Sequence, residues 1–181
     1  MLIKPLRCQM AVCSFDDAVR LTGLDRGYWN VVSIHGPRER KARLPHARTV
    51  HYACFDDTEV EDSSMDRCPR AEDIAAVFRF IDRLSPGPPL APLMIHCEMG
   101  LSRSPALALA WIYGQLPRND ARAARAIDLL LALRPQAAPN RLVLRLGLAQ
   151  FMSLPEARQL AGRIVENPHL QRNRFRTLPE E

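Results

Sequence analysis

The stretch at residues 104–116, SPALALAWIYGQL, is almost wholly apolar. A helix with no polar face has nothing to offer water, so it must be covered on every side. A short apolar run stands just before it, at residues 92–96 (PLMIH), and fits a central strand. Between the two lies a loop, Cys97-Glu98-Met99-Gly100-Leu101-Ser102-Arg103. A buried strand, a tight loop and a buried helix in succession tie the chain to a layered fold with a covered sheet.

The rest of the sequence fits that frame. Apolar or β-branched runs at residues 9–13 (QMAVC), 29–34 (WNVVSI) and 48–55 (RTVHYACF) read as strands. Ser14 is placed to cap a short helix through Asp16, Asp17 and Leu21. Residues 71–84 place Ile74, Val77, Phe78, Ile81 and Leu84 at helical spacing. SPGPPLAP is a connector, because proline cannot continue a helix. Three helices are expected after the loop, at residues 104–116, 120–133 (capped by Asn119) and 139–152 (with Pro139 in its first turn), and a further one at 155–165. The expected fold class is α/β, a central and mostly parallel sheet of four to five strands flanked by helices. Ligands of such sheets bind beyond the carboxyl ends of the strands. The loop at residues 97–103 occupies such a place.

The 181 residues suit one domain, at about 150 residues per domain. Residues 1–167 are read as that domain and 168–181 as a flexible basic tail. Hydrophobic residues at 47% and charged residues at 25% exclude a disordered chain and a disulfide scaffold. No run of about 18 apolar residues occurs, and no signal peptide is read at the start, so a cytoplasmic location without membrane contact is expected. The five cysteines are expected to be free thiols in a reducing compartment. Their spacing fits no zinc pattern, and no metal or cofactor is expected. A net charge of +5 points to an anionic partner but does not by itself distinguish nucleic acid from a phosphorylated molecule.

The loop makes that distinction. A tight turn ahead of a helix aims successive N–H groups inward as an anion nest, and the helix N-terminus adds positive potential. The amides of Glu98, Met99, Gly100, Leu101 and Ser102 would cradle a phosphate. Gly100 allows the turn and a close backbone approach. Arg103 offers a planar fork for two phosphate oxygens. The same field favours a thiolate at Cys97, an activated nucleophile. The Ser104 hydroxyl can donate to that sulfur and make it a better leaving group. His96 is expected to bond to backbone and fix the loop. His, Cys, Gly, Arg and Ser at these spacings make an accident rarer than about 1 in 10,000, at a few per cent per residue type.

This His-Cys-x-x-Gly-x-x-Arg-Ser pattern resembles the signature of the cysteine-based protein tyrosine phosphatases, closest to their small dual-specificity-like and bacterial branch. The upstream HYACFDD, the FRFID helix and the downstream Arg134, Pro135, Pro139 and Asn140 extend the likeness over residues 5–152. The resemblance implies a three-layer phosphatase-like sandwich and a phosphocysteine intermediate. It implies a phosphorylated protein as substrate, in the first place phosphotyrosine, and no nucleic acid. It also implies that Asn140 braces the loop and that an aspartate acts as general acid and base. Asp56, Asp57, Asp62 and Asp66 are candidates; Asp57 is favoured because it closes a strand at the loop's edge of the sheet. Glu98, with no lysine in the loop interior, weighs against a highly phosphorylated lipid headgroup. The non-enzyme alternative is a phosphoprotein-binding module of the same fold.

Two further expectations concern neighbouring segments. Residues 37–48 carry Arg38, Arg40, Lys41, Arg43 and Arg48 against one glutamate and would steer anionic substrates. Cys54, read as lying on a neighbouring strand, is the candidate partner for an oxidised Cys97. The sequence leaves the oligomeric state open.

Overall fold

The computed structural model describes residues 2–3, 8–61, 67–84 and 90–177. In chain order the elements are β1 (Leu2–Ile3), β2 (Cys8–Cys13), α1 (Phe15–Leu24), β3 (Asn30–His35), β4 (Thr49–Cys54), α2 (Ala71–Leu84) and β5 (Leu90–His96). Five helices follow: α3 (Arg103–Gln115), α4 (Arg122–Leu133), α5 (Arg141–Leu148), α6 (Leu154–Val165) and α7 (Pro168–Thr177).

The strands form one sheet in the order β1-β2-β5-β3-β4. The four longer strands are parallel, and β1 closes one edge antiparallel to β2. The last strand in sequence therefore sits in the middle of the sheet. Its end is in register with its neighbours: His96 pairs with Cys13 of β2 and with Ser33 of β3. All four parallel strands release their following loops at one edge, and these loops build the site.

Side chains alternate across the sheet and fill two cores. Val32, Ile34 and Ile95 point to a large core with α2 to α6. Val31 and Met94 point to a smaller one with Ala18 of α1, Trp29, Ala42 and Leu44. The layers are thus helices, sheet, and a thin layer of α1 and the loop after β3. Helix α3 is buried along most of its length, Arg103 to Ile112, which explains its apolar sequence. It lies so close to α5 that a Cβ on Gly147 would stand 2.5 Å from the Ala110 Cβ. Helix α2 is amphipathic and buries Ile74, Val77, Phe78 and Ile81, each worth about 1.5–3 kcal/mol. Ser14 caps α1 as expected, accepting the Asp17 N–H at 3.2 Å.

Three boundaries differ from the sequence reading. The helix expected at 139–152 is α5, only Arg141–Leu148, because Asn140 caps it through the Val143 N–H at 2.9 Å. Pro139 therefore precedes the cap instead of entering the first turn. Helix α4 starts at Arg122, with Ala121 rather than Asn119 at its cap. The residues read as a frayed tail form α7 as far as Thr177. Leu170 is buried in the large core, and the Asn173 amide donates to Pro135 O and Ala137 O at 2.8 and 2.9 Å. One buried leucine and two side-chain bonds to backbone were enough to dock a segment whose composition is polar.

Candidate active site

The loop between β5 and α3 is held by its carbonyls. Glu98 O accepts the Phe15 N–H at 3.0 Å, Leu101 O the Ala138 N–H at 2.7 Å and Ser102 O the Asn140 N–H at 3.2 Å. The Arg134 guanidinium donates to Gly100 O at 3.1 Å and to Met99 O at 3.0 Å. Every carbonyl from residue 98 to 102 is thereby engaged. In contrast, no backbone N–H from residue 98 to 103 donates a hydrogen bond among the described residues. Gly100 makes the turn possible. Its φ is +68°, and a Cβ there would stand 2.4 Å from the Cys13 carbonyl carbon.

Cys97 sits at the base, 2% exposed, with Sγ 3.2 Å from Ser104 Oγ. Arg103 is equally buried. Its end-on fork grips Glu39, with Nη1 at 2.8 Å and Nη2 at 2.6 Å from the two carboxylate oxygens, and Nη1 also donates to Phe55 O at 3.1 Å. Nε is buried without a hydrogen-bond partner. Burial works against the Arg103 charge, but the Glu39 carboxylate, with Cys97 and Asp57, outweighs it and holds the guanidinium above its ordinary value. Burial likewise pushes the Glu39 carboxyl up. Arg103 and the Gly36 N–H, at 2.7 Å, outweigh it and bring the group below its usual range.

The acid loop follows β4. Asp57 Oδ1 accepts from Ser102 Oγ at 2.7 Å and from Asn140 Nδ2 at 2.8 Å, while Oδ2 lies 3.7 Å from Arg103 Nε. Asp56 is committed elsewhere: its Oδ2 accepts the Arg67 N–H at 2.8 Å, and its backbone N–H donates to Arg67 O at 2.9 Å. Asp62 and Asp66 lie outside the described residues. Asn140 serves both expected ends at once, since it caps α5 and bridges the phosphate-loop region to the acid loop.

A cleft of about 920 Å³ joins these groups, with Asp57, Cys97, Glu98, Met99, Leu101, Ser102, Arg103 and Asn140 on its walls. Glu39, Glu59, Ala138, Arg174 and Phe175 complete it, and none of these five was singled out from the sequence as a site residue. Glu39 carried a signal, as the single acid in a basic run. Glu59 takes both Arg174 donors, at 2.6 and 3.0 Å, and the Arg141 N–H at 2.8 Å. Arg174 comes from α7, 115 residues away in sequence from Glu59, and no local pattern announces such a pair.

Two expectations are corrected, and one residue of the basic loop proves to be paired. Neither His96 ring nitrogen has a hydrogen-bond partner. Burial pushes the group down to about 4, and the Cys97 backbone lies close enough to oppose this only in part. His96 fits as a neutral ring, with Phe15 edge-on at 6.2 Å. Cys54 is not on a strand next to Cys97, because β3 lies between β4 and β5. Cys13 is on an adjacent strand, but it belongs to the small core, whereas Cys97 belongs to the large one. Burial pushes the Cys13 thiol up to about 12. In the basic loop Arg40 is partly neutralised. It pairs with Asp16 and Glu98 at 3.1 and 3.3 Å and stacks on the Phe15 ring at 3.8 Å.

No family model matches the sequence, and no curated protein is significantly similar to it. Solved structures do match. Human DUSP28 superposes with a TM-score of 0.56 at 15% identity, over 85% of this chain and 94% of that one. A mouse putative dual specificity phosphatase complexed with zinc tungstate gives 0.55 at 18%, over 89% of each chain. The human tyrosine phosphatase-like serine/threonine/tyrosine-interacting protein gives 0.55 at 15%, over 76% of this chain and 87% of that one. The fold is that of the dual-specificity phosphatases. Within this phosphatase fold, no helix among the described residues is long and apolar enough to cross a membrane. Nor does any group of three or more His, Cys, Asp or Glu among them form a metal cluster.

Proposed function

We propose that the chain is a phosphomonoester hydrolase that acts on phosphorylated protein, in the first place on phosphotyrosine, through a phosphocysteine at Cys97. One observation carries this reading. The loop around a buried cysteine has its carbonyls engaged and its amides unengaged, beside a buried Arg103 whose Nε has no hydrogen-bond partner. Such a ring of donors suits a tetrahedral dianion. The tungstate of the mouse match is an oxyanion of that shape, which adds support.

The distances suit the following chemistry. The Cys97 sulfur attacks phosphorus, and the bond to the leaving oxygen breaks. Loop amides and the Nε edge of Arg103 hold the equatorial oxygens, and Glu39 keeps the guanidinium in plane by its opposite edge. Asp57 supplies the proton to the leaving oxygen. Oδ1 is already engaged by Ser102 and Asn140, so the transferable proton sits on Oδ2. In the second step water attacks the phosphocysteine, Asp57 takes its proton, and the sulfur leaves with the Ser104 hydroxyl donating to it from 3.2 Å. Ser104 thus assists departure of the thiolate.

The test is phosphate release from an aryl phosphate and a phosphopeptide panel by the wild type and Cys97→Ser. The variant is expected to lose at least about 10³-fold in kcat. Acid-quenched wild type is expected to carry phosphate on Cys97. Turnover that survives Cys97→Ser refutes the phosphocysteine. The match to a protein named for interaction favours a second reading, a phosphoprotein-binding module. Tight phosphopeptide binding with no release by the wild type would select it.

A further inference from the structure

A second cavity, of about 640 Å³, lies between α5, α6 and Glu61. Arg141, Arg145, Arg158 and Arg163 line it together with Glu61 and Glu166. The two linings are neighbours in sequence and joined by one bond: Glu59 and Asn140 line the first, Glu61 and Arg141 the second, and the Arg141 N–H donates to Glu59 at 2.8 Å. Four guanidinium groups against two carboxylates leave the second cavity two charges positive.

One carboxylate is already committed, since Glu61 pairs with Arg145. Among the described residues no carboxylate lies within salt-bridge distance of the Arg141, Arg158 or Arg163 side chains. The Arg141 guanidinium leans over α6, with Nη2 3.4 Å from where a Gly162 Cβ would stand. A side chain at Gly162 would crowd this wall. Arg145 is the deeper group, 16% exposed, and its Nε is buried with no hydrogen-bond partner. A buried donor left without an acceptor is destabilising, and an arriving oxyanion would relieve it.

We propose that this arginine-lined cavity is an anion subsite for the polypeptide substrate, taking an acidic side chain or a second phosphate. That anion would lie a few residues from the phosphotyrosine bound over Cys97. This rests on the phosphatase reading above. Guanidinium forks suit carboxylate and phosphate alike, and Glu61 on Arg145 is an internal example of such a pair. The subsite then favours acidic or doubly phosphorylated peptides. It contributes to KM rather than to the chemical step.

The test compares three substrates: an aryl phosphate, a neutral phosphotyrosine peptide, and the same peptide carrying a second phosphate or an Asp-Glu run. In the wild type the added anions are expected to lower KM about fivefold, an effect that fades at high salt. Arg158→Ala/Arg163→Ala is expected to abolish that preference and to leave aryl phosphate turnover at the wild-type level. Equal KM values for the neutral and acidic peptides in the wild type overturn the proposal, as does a preference that survives the double variant. If free sulfate changes aryl phosphate turnover in the wild type but not in the double variant, the site serves a soluble effector, and its assignment to substrate falls. A wild type inert toward aryl phosphate refutes the phosphatase reading instead. The subsite is then decided by fluorescence anisotropy of the same peptides: tighter binding of the acidic one, lost in the double variant, upholds it, and equal binding overturns it.

Discussion

The phosphate loop and the acid loop meet at Ser102 and Asp57, yet they are held by different forces. The phosphate loop is fixed by backbone contacts and by one cationic side chain reaching its carbonyls. Gly100 lies against the chain of β2 with no room for a Cβ. The acid loop is fixed largely by carboxylates at alternate positions. Asp57 meets Ser102, Asn140 and Arg103; Glu59 meets Arg174; Glu61 meets Arg145. A loop locked by covalent geometry and close packing is rigid under all solvent conditions. A loop held by half-exposed charge pairs can be loosened by salt and acid. That division suits the proposed chemistry: a nucleophile and its anion nest must be preorganised, whereas an acid loop must let substrate in and product out.

The largest expected effect strikes the rigid loop. Gly100→Ala forces a Cβ to within 2.4 Å of the Cys13 backbone at a φ of +68°. It should destabilise the fold by about 2–4 kcal/mol, read from the urea midpoint. Whatever still folds should lose about 100-fold in kcat/KM, because the nest and nucleophile are displaced. A variant with wild-type stability would show that the loop is not locked by packing.

Next comes the acid. Asp57→Asn keeps the shape of the side chain and removes the transferable proton. kcat should fall by about 10²–10³-fold, with a smaller loss for an activated nitrophenyl leaving group than for a peptide tyrosine. If the loss is equal for both leaving groups, Asp57 only positions its neighbours, and Asp62 and Asp66 come forward.

The third prediction separates the two loops by pH. His96, beside Cys97, is lowered by burial from 6.5 to about 4. The unfolded chain therefore takes up a proton that the folded chain refuses as pH falls between those values. Stability that is complete above about pH 6.5 should decline by about 3 kcal/mol on reaching pH 4, and this slope should vanish in His96→Gln. The acid loop responds in a lower window. Burial pushes the Glu59 carboxyl up, but Arg174 and the Arg141 N–H hold it below its ordinary 4.5. Its contribution is therefore present above about pH 4.5 and lost as pH falls through the lower folded value.

Glu59→Gln tests that pair and is the smallest effect, under about 1 kcal/mol at neutral pH and erased by high salt. Hydrogen exchange should quicken in residues 57–61 of this variant and remain unchanged in residues 97–103. Equal quickening in both would erase the contrast.

The phosphate loop could be read from the sequence because all its parts are local. Seven consecutive residues, one strand and one helix define it, and the apolar pattern of α3 reports its own burial. The sheet class was legible for the same reason, since each parallel strand contains a short apolar or β-branched run. The docking of α7 was not, because one buried leucine and the Asn173 and Arg174 side chains carry it. The Glu39 to Arg103 pair was hidden by distance, spanning 64 residues. The failure at Cys54 has a topological cause. Sequence order puts β4 just before β5, but β5 inserts between β2 and β3.

The docked α7 also bears on how the protein is handled at the bench. Its Phe175, 70% exposed, stands on the rim of the catalytic cleft. A fluorescent reporter attached at position 175 then sits at the mouth of that cleft, and its emission becomes a gauge of what enters.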